Sequence, residues 1–144
     1  MTTLSAPSSF GYRPIYSQQS AIALLPTFNV LDVTLATVTN AGTLTAAQCL
    51  GSLVFHAGTG GALTTPTAAQ LVAAMPGCTV GTAFNLRVRV TSASTSTLTA
   101  GTGVTLSGTA ATATLNAKTW LFVVTNNVVG AEAVTAYSAG SSVF

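Results

Sequence analysis

The chain of 144 residues predicts an all-β protein, a β-sandwich or jelly-roll-like barrel that carries one short helix and an extended N-terminal arm. Short runs of β-branched and aromatic residues recur along the chain, separated by Gly, Asn and Ser. The clearest run, Phe84–Val90, alternates apolar and polar residues, which predicts a strand with Asn85, Arg87 and Arg89 facing away from the core. The length fits one domain with a core of its own.

The predicted sandwich domain covers residues 27–144, and residues 1–26 form the predicted arm. Within the domain, further segments rich in Val, Leu and Thr predict strands at residues 27–40, 53–56, 97–99, 104–106, 113–116, 119–125 and 133–137. Alternation in the strand at 119–125 places Trp120, Phe122 and Val124 on one face and Leu121 and Val123 on the other. Gly101–Gly103 separates two of the segments and predicts a hairpin turn.

One helix is predicted at about residues 66–75. Thr65 is the expected N-cap, Pro66 suits the first helical position, and Pro76 followed by Gly77 ends the helix. Its apolar stripe is expected to cover the end of a sheet and consists of Leu71, Val72 and Met75.

The sequence has only weak internal repetition. Residues 44–50 predict only a short turn, and the loose similarity between Leu44–Ala46 and Leu98–Gly101 has unequal spacing. The sequence therefore predicts no solenoid.

Charged side chains are nearly absent: they make up 4% of the residues, against roughly 25% in an average domain. Thr, Ala, Ser and Gly replace them, and the net charge of +2 gives copies of the chain little mutual repulsion. Hydroxyl groups also cost less free energy than ions when they leave water, so such a surface can be buried against partners cheaply. The composition indicates a component of an assembly.

Several function classes are not expected. Four basic residues are too few for the multiple phosphate contacts of nucleic-acid binding. No run of about 18 apolar residues predicts a membrane-spanning helix, and the first residues lack the basic and apolar regions of a signal peptide. Two cysteines and one histidine without paired spacing predict no metal site, and no cofactor is expected.

Catalytic groups are scarce, and no enzymatic activity is predicted. Asp32 and Glu132 are the only carboxylate side chains, and we expect them to form salt bridges with Arg87, Arg89 or Lys118. A Ser-His-Asp triad through His56 lacks the sequence pattern of a nucleophile elbow, so this histidine is expected on the surface at a strand end. The glycine clusters at 58–61 and 101–103 lack the P-loop pattern and predict turns.

Cys49 and Cys78 are compatible with a disulfide, a thiol nucleophile or two small buried side chains. The absence of an export signal favours the last of these interpretations.

The arm contains an aromatic cluster that we expect to bind a partner. It consists of Phe10, Gly11, Tyr12, Arg13, Pro14, Ile15 and Tyr16. Arg13 precedes a proline, which favours extended backbone, and so short a segment has no core of its own. The cluster must pack against its own domain or against a neighbouring protein, and its aromatic side chains favour the neighbour.

Arg87 and Arg89 form a second candidate site, because they lie two residues apart on one predicted strand face. Two interpretations stay open: contact with an acidic surface of a neighbouring protein, or an ordinary solvated outer face of the sheet.

Two stretches resemble proteins of virus particles. Gly11–Tyr16 resembles the N-terminal Gly-aromatic-Arg-Pro-aliphatic signature of small phage head decoration, or cement, proteins, but continues with Ser17–Ser20 where that family has a His-Pro-Ser-Gly-like sequence. A longer stretch resembles a β-rich domain of phage and large-virus structural proteins, spans residues 44–137, and is carried by Thr65–Gly77, Val80–Phe84 and Leu98–Gly108.

The resemblance implies a structural virion protein on the capsid exterior, with the major capsid protein as partner and a homotrimer as the assembly. In this interpretation the protein decorates the outside of the capsid lattice and stabilises the shell, with the aromatic cluster, Arg87 and Arg89 as the binding residues. The alternative is a trimeric tail-fibre or receptor-binding module that presents Thr, Ser and Asn side chains to a glycan. Neither function requires nucleic acid or a membrane as partner.

Overall fold

The computed structural model describes residues 35–143, of which 51% lie in strands and 10% in helices. The β-rich class predicted from the sequence is therefore confirmed. The predicted arm, residues 1–26, and the first part of the strand predicted at 27–40 lie outside the described residues.

Ten strands and two short helices follow one another along the described part of the chain. The strands are β1 Leu35–Thr39, β2 Gly42–Thr43, β3 Leu53–Ala57, β4 Gly61–Thr64, β5 Ala83–Val90, β6 Ser96–Thr99, β7 Val104–Ser107, β8 Ala111–Thr112, β9 Asn116–Asn126 and β10 Ala133–Val143. The helices are α1 Ala46–Leu50 and α2 Ala68–Ala73. The strand predicted at 113–116 is wrong, because residues 113–115 form the connection between β8 and β9.

The strands form two sheets, one of six strands in the order β1-β3-β5-β9-β10-β7 and one of four strands in the order β2-β4-β6-β8. In the larger sheet β1, β3 and β5 are parallel, β9 is antiparallel to β5 and β10, and β7 is parallel to β10. In the smaller sheet β2, β4 and β6 are parallel and β8 is antiparallel to β6. Both sheets are therefore mixed.

From β1 to β9 the chain alternates between the two sheets. Each of the pairs β1–β2, β3–β4 and β5–β6 passes from the larger to the smaller sheet, and α1 and α2 lead back after the first two pairs. The predicted hairpin at Gly101–Gly103 is wrong for the same reason: the strands that flank it, β6 and β7, belong to different sheets.

The two helices begin with the same local structure. In each, a threonine hydroxyl accepts from the backbone N–H of a glutamine three residues later, and that glutamine's side chain accepts from the threonine N–H. The pairs are Thr45 with Gln48 and Thr67 with Gln70. Each begins an identical Thr-Ala-Ala-Gln segment, at residues 45–48 and 67–70. The first of these helices was not predicted, since residues 44–50 were expected to form only a short turn.

The predicted helix exists but is shorter than expected, since it begins after Thr67 rather than after Thr65. Thr65 is instead buried, and its hydroxyl oxygen accepts a hydrogen bond of 2.8 Å from the backbone N–H of Gly101. Leu71 is fully buried, and Val72 and Met75 pack against the core, which confirms the predicted apolar stripe.

Side chains from both sheets form one core cluster. Leu86 and Val88 of β5 are buried, as their alternation predicts. Trp120, Phe122 and Val124 share one face of β9, and the structure shows that this face is the buried one. The ring of Phe84 stacks on that of Phe122, with centroids 4.9 Å apart. The helices and the smaller sheet add Cys49, Leu63, Leu71 and Leu98.

Gly101 gives a direct test of how tightly the turn after β6 packs. A Cβ at this position would lie 2.5 Å from the carbonyl oxygens of both Thr65 and Pro66. We expect G101A to lower the free energy of unfolding by about 2 kcal/mol in urea denaturation, because the backbone must move to relieve the overlap. G42A is the matched control, since its Cβ would make only an ordinary 3.5 Å contact with Val38. A loss in G101A no larger than in G42A would contradict this packing.

Candidate functional site

The outer face of the six-stranded sheet carries the candidate binding residues that the structure describes. Residues paired across neighbouring strands share a face of the sheet, so the register places Arg87 beside Leu53 and Arg89 beside Phe55. The same register extends the face through β1, β9 and β10. We call this surface the arginine face and define it by Leu35, Leu53, Phe55, Asn85, Arg87, Arg89, Leu121 and Tyr137.

Arg87 and Arg89 lie on the outward side of their strand, which confirms the placement predicted from the alternating sequence. Arg87 is exposed and Arg89 is half-buried. The guanidinium carbon of Arg89 lies 5.7 Å from the centroid of the Phe55 ring, within the range of a cation–π interaction. Nη2 of Arg87 donates a 3.0 Å hydrogen bond to the hydroxyl oxygen of Ser142. Both guanidinium groups are thus positioned by contacts within the sheet.

The arginine face also has the composition of a protein interface. Leu35 is 65% exposed and Tyr137 is 45% exposed, and Leu53, Phe55 and Leu121 are half-buried between them. Aromatic residues and Arg are enriched at the centres of interfaces, whereas Lys, Asp and Glu are depleted there. None of the residues that define the face is a lysine or a carboxylate.

The size of the face is that of a small protein contact. The five strands that carry it are spaced by ~4.8 Å and span roughly 19 Å, and the eight residues of β5 span roughly 26 Å. The product, on the order of 500 Å², is an upper bound because β1 and β3 are shorter than β5, and it is smaller than the ~800 Å² that each partner contributes to a standard interface.

A second exposed apolar patch lies at the hairpin between β9 and β10. Val128 is 62% exposed and Val129 is 92% exposed, and Val80 in the loop before β5 is 61% exposed. The two loops are joined by a 3.0 Å hydrogen bond from Nδ2 of Asn127 to the Cys78 carbonyl. Asn126 and Asn127 indicate a turn here, and the two consecutive valines that follow them are unusual in a turn, where polar residues dominate.

His56 is not on the surface, so that prediction is wrong. It is fully buried and points from β3 toward the smaller sheet, where its Nδ1 lies 2.6 Å from the hydroxyl oxygen of Ser96. Its Nε2 donates to the carbonyl of Asn40 over 2.7 Å. Ser96 is only 2% exposed, so this Ser-His pair is closed to a substrate and instead links the two sheets. Asp32, the carboxylate that a Ser-His-Asp triad would require, lies outside the described residues.

The two cysteines are free thiols. Cys49 is fully buried in the core, and that burial raises the pKa of its thiol to about 12, so it stays protonated at neutral pH. The interpretation of Cys49 as a small buried side chain is confirmed. Cys78 is half-buried, and its Sγ lies 3.9 Å from the carbonyl of Val72.

Lys118, one of the side chains expected to form a salt bridge, is buried and donates to backbone carbonyls. It is 5% exposed, and its ammonium group donates to the carbonyls of Thr109 and Ala111. The same group lies 5.2 Å from the centroid of the Trp120 ring, and burial lowers the pKa of Lys118. Glu132 accepts a 3.0 Å hydrogen bond from the backbone N–H of Gly130. These contacts have a structural role at the edge of the fold.

The aromatic cluster of the arm, Phe10–Tyr16, lies outside the described residues, so its placement stays a prediction. Among residues 35–143, no group of three His, Cys, Asp or Glu side chains is close enough to hold a metal ion. Within the same part of the chain, no helix is both long and apolar enough to cross a membrane. No protein-family model, no curated protein and no solved structure matches this chain.

Proposed function

We propose that this chain is a structural virion protein, a decoration or cement protein that binds the outside of the major capsid lattice as a homotrimer. The observation that carries the proposal is the arginine face: a surface with the composition of an interface on a chain with almost no charge elsewhere. Catalysis, nucleic acid and membranes have no part in the proposed function.

The sandwich arrangement belongs to the same proposal. The two sheets would form the layers of a β-sandwich or jelly-roll-like barrel, with the outer face of the larger sheet turned toward the shell. Support comes from the single core cluster, which contains Leu63 and Leu98 of the smaller sheet together with Leu86 and Trp120 of the larger one.

Stabilisation of the shell would follow from mass action. A protein that binds the assembled lattice but not the separated capsid subunits lowers the free energy of the assembled state, and this stabilisation grows with the logarithm of the free protein concentration once that concentration exceeds the dissociation constant. Three linked copies bind several lattice positions at once, which raises the overall affinity without new contacts. The neutral, Thr-rich surface lets such contacts form with little loss of ionic hydration.

The aromatic cluster Phe10–Tyr16 is the second proposed binding element. Deleting residues 1–20 should abolish binding to capsid shells and leave the β domain folded, and the full-length variant F10S/Y12S/Y16S should weaken binding in the same direction. Co-sedimentation with purified shells measures the binding, and circular dichroism checks the fold. Full occupancy of shells by both variants would show that the cluster does not bind the capsid.

One observation favours the alternative function, a trimeric fibre or receptor-binding module. Thr43, Thr64 and Thr99 lie side by side on β2, β4 and β6, and the hydroxyl groups of Thr64 and Thr99 are 2.8 Å apart. Such a row of hydroxyl groups can form hydrogen bonds with a glycan. Copy number separates the two functions: hundreds of copies per virion indicate cement, whereas a handful together with binding on a glycan array indicates a fibre.

A further inference from the structure

From the strand register of the larger sheet we infer a contact between copies of this chain: β1 of one copy pairs with the last residues of β10 of the next copy. The inference rests on the proposed function in one respect, that copies of the chain assemble into a closed ring such as a trimer. It adds the two strand edges that join the copies, which the proposed function leaves open.

The last five residues of β10, Ala139–Val143, form an open edge of the larger sheet. β7 pairs only with Val134–Tyr137, and no other described strand pairs with β10 on that side. A Cβ at Gly108 would lie 2.7 Å from the Cβ of Ser138, so the chain passes close to β10 directly after β7 and then leaves for the smaller sheet. We call Ala139–Val143 the β10 edge.

β1 is the opposite edge of the same sheet, and no described strand pairs with its other side. Through β3, β5 and β9 the register places Leu35 in one row with Gly140, and Thr37 in one row with Ser142. β1 runs in the same direction as β10, because β9 is antiparallel to both β5 and β10. The two open edges therefore lie at the same level of the sheet, have five residues each and can meet as a parallel pair.

Beyond the bulge at the start of the β10 edge, neither edge carries the features that keep strand edges apart. Their sequences, Leu-Ala-Thr-Val-Thr and Ala-Gly-Ser-Ser-Val, contain no proline and no charged residue. At β8, in contrast, Lys118 donates to the carbonyls of Thr109 and Ala111. A row of open backbone N–H and C=O groups is satisfied by another extended backbone, so these edges favour a partner strand.

A head-to-tail contact uses both edges of every copy. Each copy presents one β1 and one β10 edge, so the same contact repeats from copy to copy and can close into a ring. Pairing of two like edges would join only two copies and leave the other edge of each copy open. The side chains of both edges are uncharged, so like charges within the edges do not oppose the contact.

The alternation of backbone groups identifies N–H groups that point out of each edge. The N–H of Asn40 donates to Ala57 at the end of β3, so the N–H of Thr37, three residues earlier, points away from β3. On β9 the N–H of Val124 points toward β5, and the same alternation carried across to β10 places the N–H of Ser141 on the open side.

Proline substitutions test the two edges in the full-length protein, because proline at these positions removes one outward N–H and no hydrogen bond within the sheet. Wild type should have about three times the 14.3 kDa mass of one chain in light scattering. T37P and S141P should each raise the concentration at which half of the chains are monomeric at least tenfold. T37A and S141A keep the N–H and are the matched controls. A monomeric wild type, or proline variants that associate like wild type, would overturn the inference.

Mixing the two proline variants separates a head-to-tail contact from a contact between like edges. T37P keeps an intact β10 edge and S141P keeps an intact β1, so an equal mixture should form dimers that neither variant forms alone. Circular dichroism checks that both variants are folded. A mixture of folded variants that stays monomeric would show that the two edges do not pair.

Hydrogen exchange in wild type provides a measurement that does not depend on the folding of any variant. The amides of Thr37 and Ser141 should exchange at least tenfold more slowly than the amide of Val129, which is exposed in the hairpin between β9 and β10, after correction for intrinsic rates. Exchange of either amide as fast as that of Val129 would contradict the pairing.

Shell binding gives an independent outcome. If the protein decorates shells but T37P and S141P leave its association unchanged, the inferred contact is wrong and the decoration function stands. If the copies associate through these edges but shells are not decorated, the contact stands and the decoration function is wrong.

Discussion

Replacing Lys118 with alanine is expected to lower the free energy of unfolding by about 3 kcal/mol, because its buried ammonium group closes one edge of the smaller sheet. β8 is the last strand of that sheet, and the carbonyl of Ala110 accepts from the N–H of Leu98 on β6. The neighbouring carbonyls, of Thr109 and Ala111, accept from Lys118 instead. The side chain thus occupies backbone groups that could otherwise pair with another strand.

K118A removes both hydrogen bonds, the contact of the ammonium group with the Trp120 ring and the buried hydrocarbon stem, so urea denaturation should show the full loss. K118M keeps the stem and should lose about half as much, but its uncovered β8 edge should promote association at high concentration, measurable by light scattering. T125A, at an exposed position of β9, is the control and should stay within about 0.5 kcal/mol of wild type. K118A with wild-type stability would contradict a structural role for the lysine.

The pH dependence of the same variants provides a second check. Burial places the folded-state pKa of Lys118 below its ordinary value of 10.5. The unfolded chain therefore holds this proton more tightly, and the contribution of Lys118 to stability increases as the pH rises from below the folded-state pKa toward 10.5. The stability of wild type relative to K118M should rise over that interval, and a decrease would contradict the assignment.

Replacing His56 with alanine is expected to cost about 3–4 kcal/mol of unfolding free energy. The imidazole is fully buried and links β3 of the larger sheet to Ser96 on β6 of the smaller sheet and to the Asn40 carbonyl in the turn after β1. H56A leaves both partners without this hydrogen bond and opens a cavity between the sheets. Unfolding in urea, followed by Trp120 fluorescence, measures the loss.

A double-mutant cycle tests whether the histidine and the serine act as a pair. S96A alone should cost about 1 kcal/mol, and H56A/S96A should cost less than the sum of the single variants, because the second change removes an interaction that the first has already broken. T97A, at a half-buried neighbour on the same strand, is the matched control and should have a small effect. Strictly additive losses would show that the two side chains are not coupled.

The local part of the fold could be predicted from the sequence because it depends on neighbours along the chain. Alternation in Phe84–Val90 predicts which side chains face the core, and the structure confirms the burial of Leu86, Val88 and Val90. Alternation around Trp120 predicts which side chains share a face but not which face is buried. Arg87 and Arg89 were found by the same pattern. The repeated Thr-Ala-Ala-Gln segments at 45–48 and 67–70 were also visible in the sequence, and a search for repeated capping boxes would have found both helices.

The pairing of strands could not be predicted in this way, because two parallel strands that are neighbours in a sheet are far apart in the sequence. Gly101–Gly103 illustrates the difference: its residues correctly indicate a turn, but only the three-dimensional structure shows that β6 and β7 belong to different sheets. The partners of His56 are similarly distant, since Ser96 lies 40 residues further along the chain.

The amino-acid sequence by itself therefore determined a β-rich, nearly uncharged protein, because composition and strand alternation are properties of the chain alone. Only the tertiary structure decided where the few ionisable side chains lie. It buries His56 and Lys118, which look like surface residues in the sequence, and leaves Arg87 exposed at the centre of a broad sheet face. The physical reason is that a buried polar group is stable only where the fold supplies its hydrogen-bond partners, and those partners come from other strands.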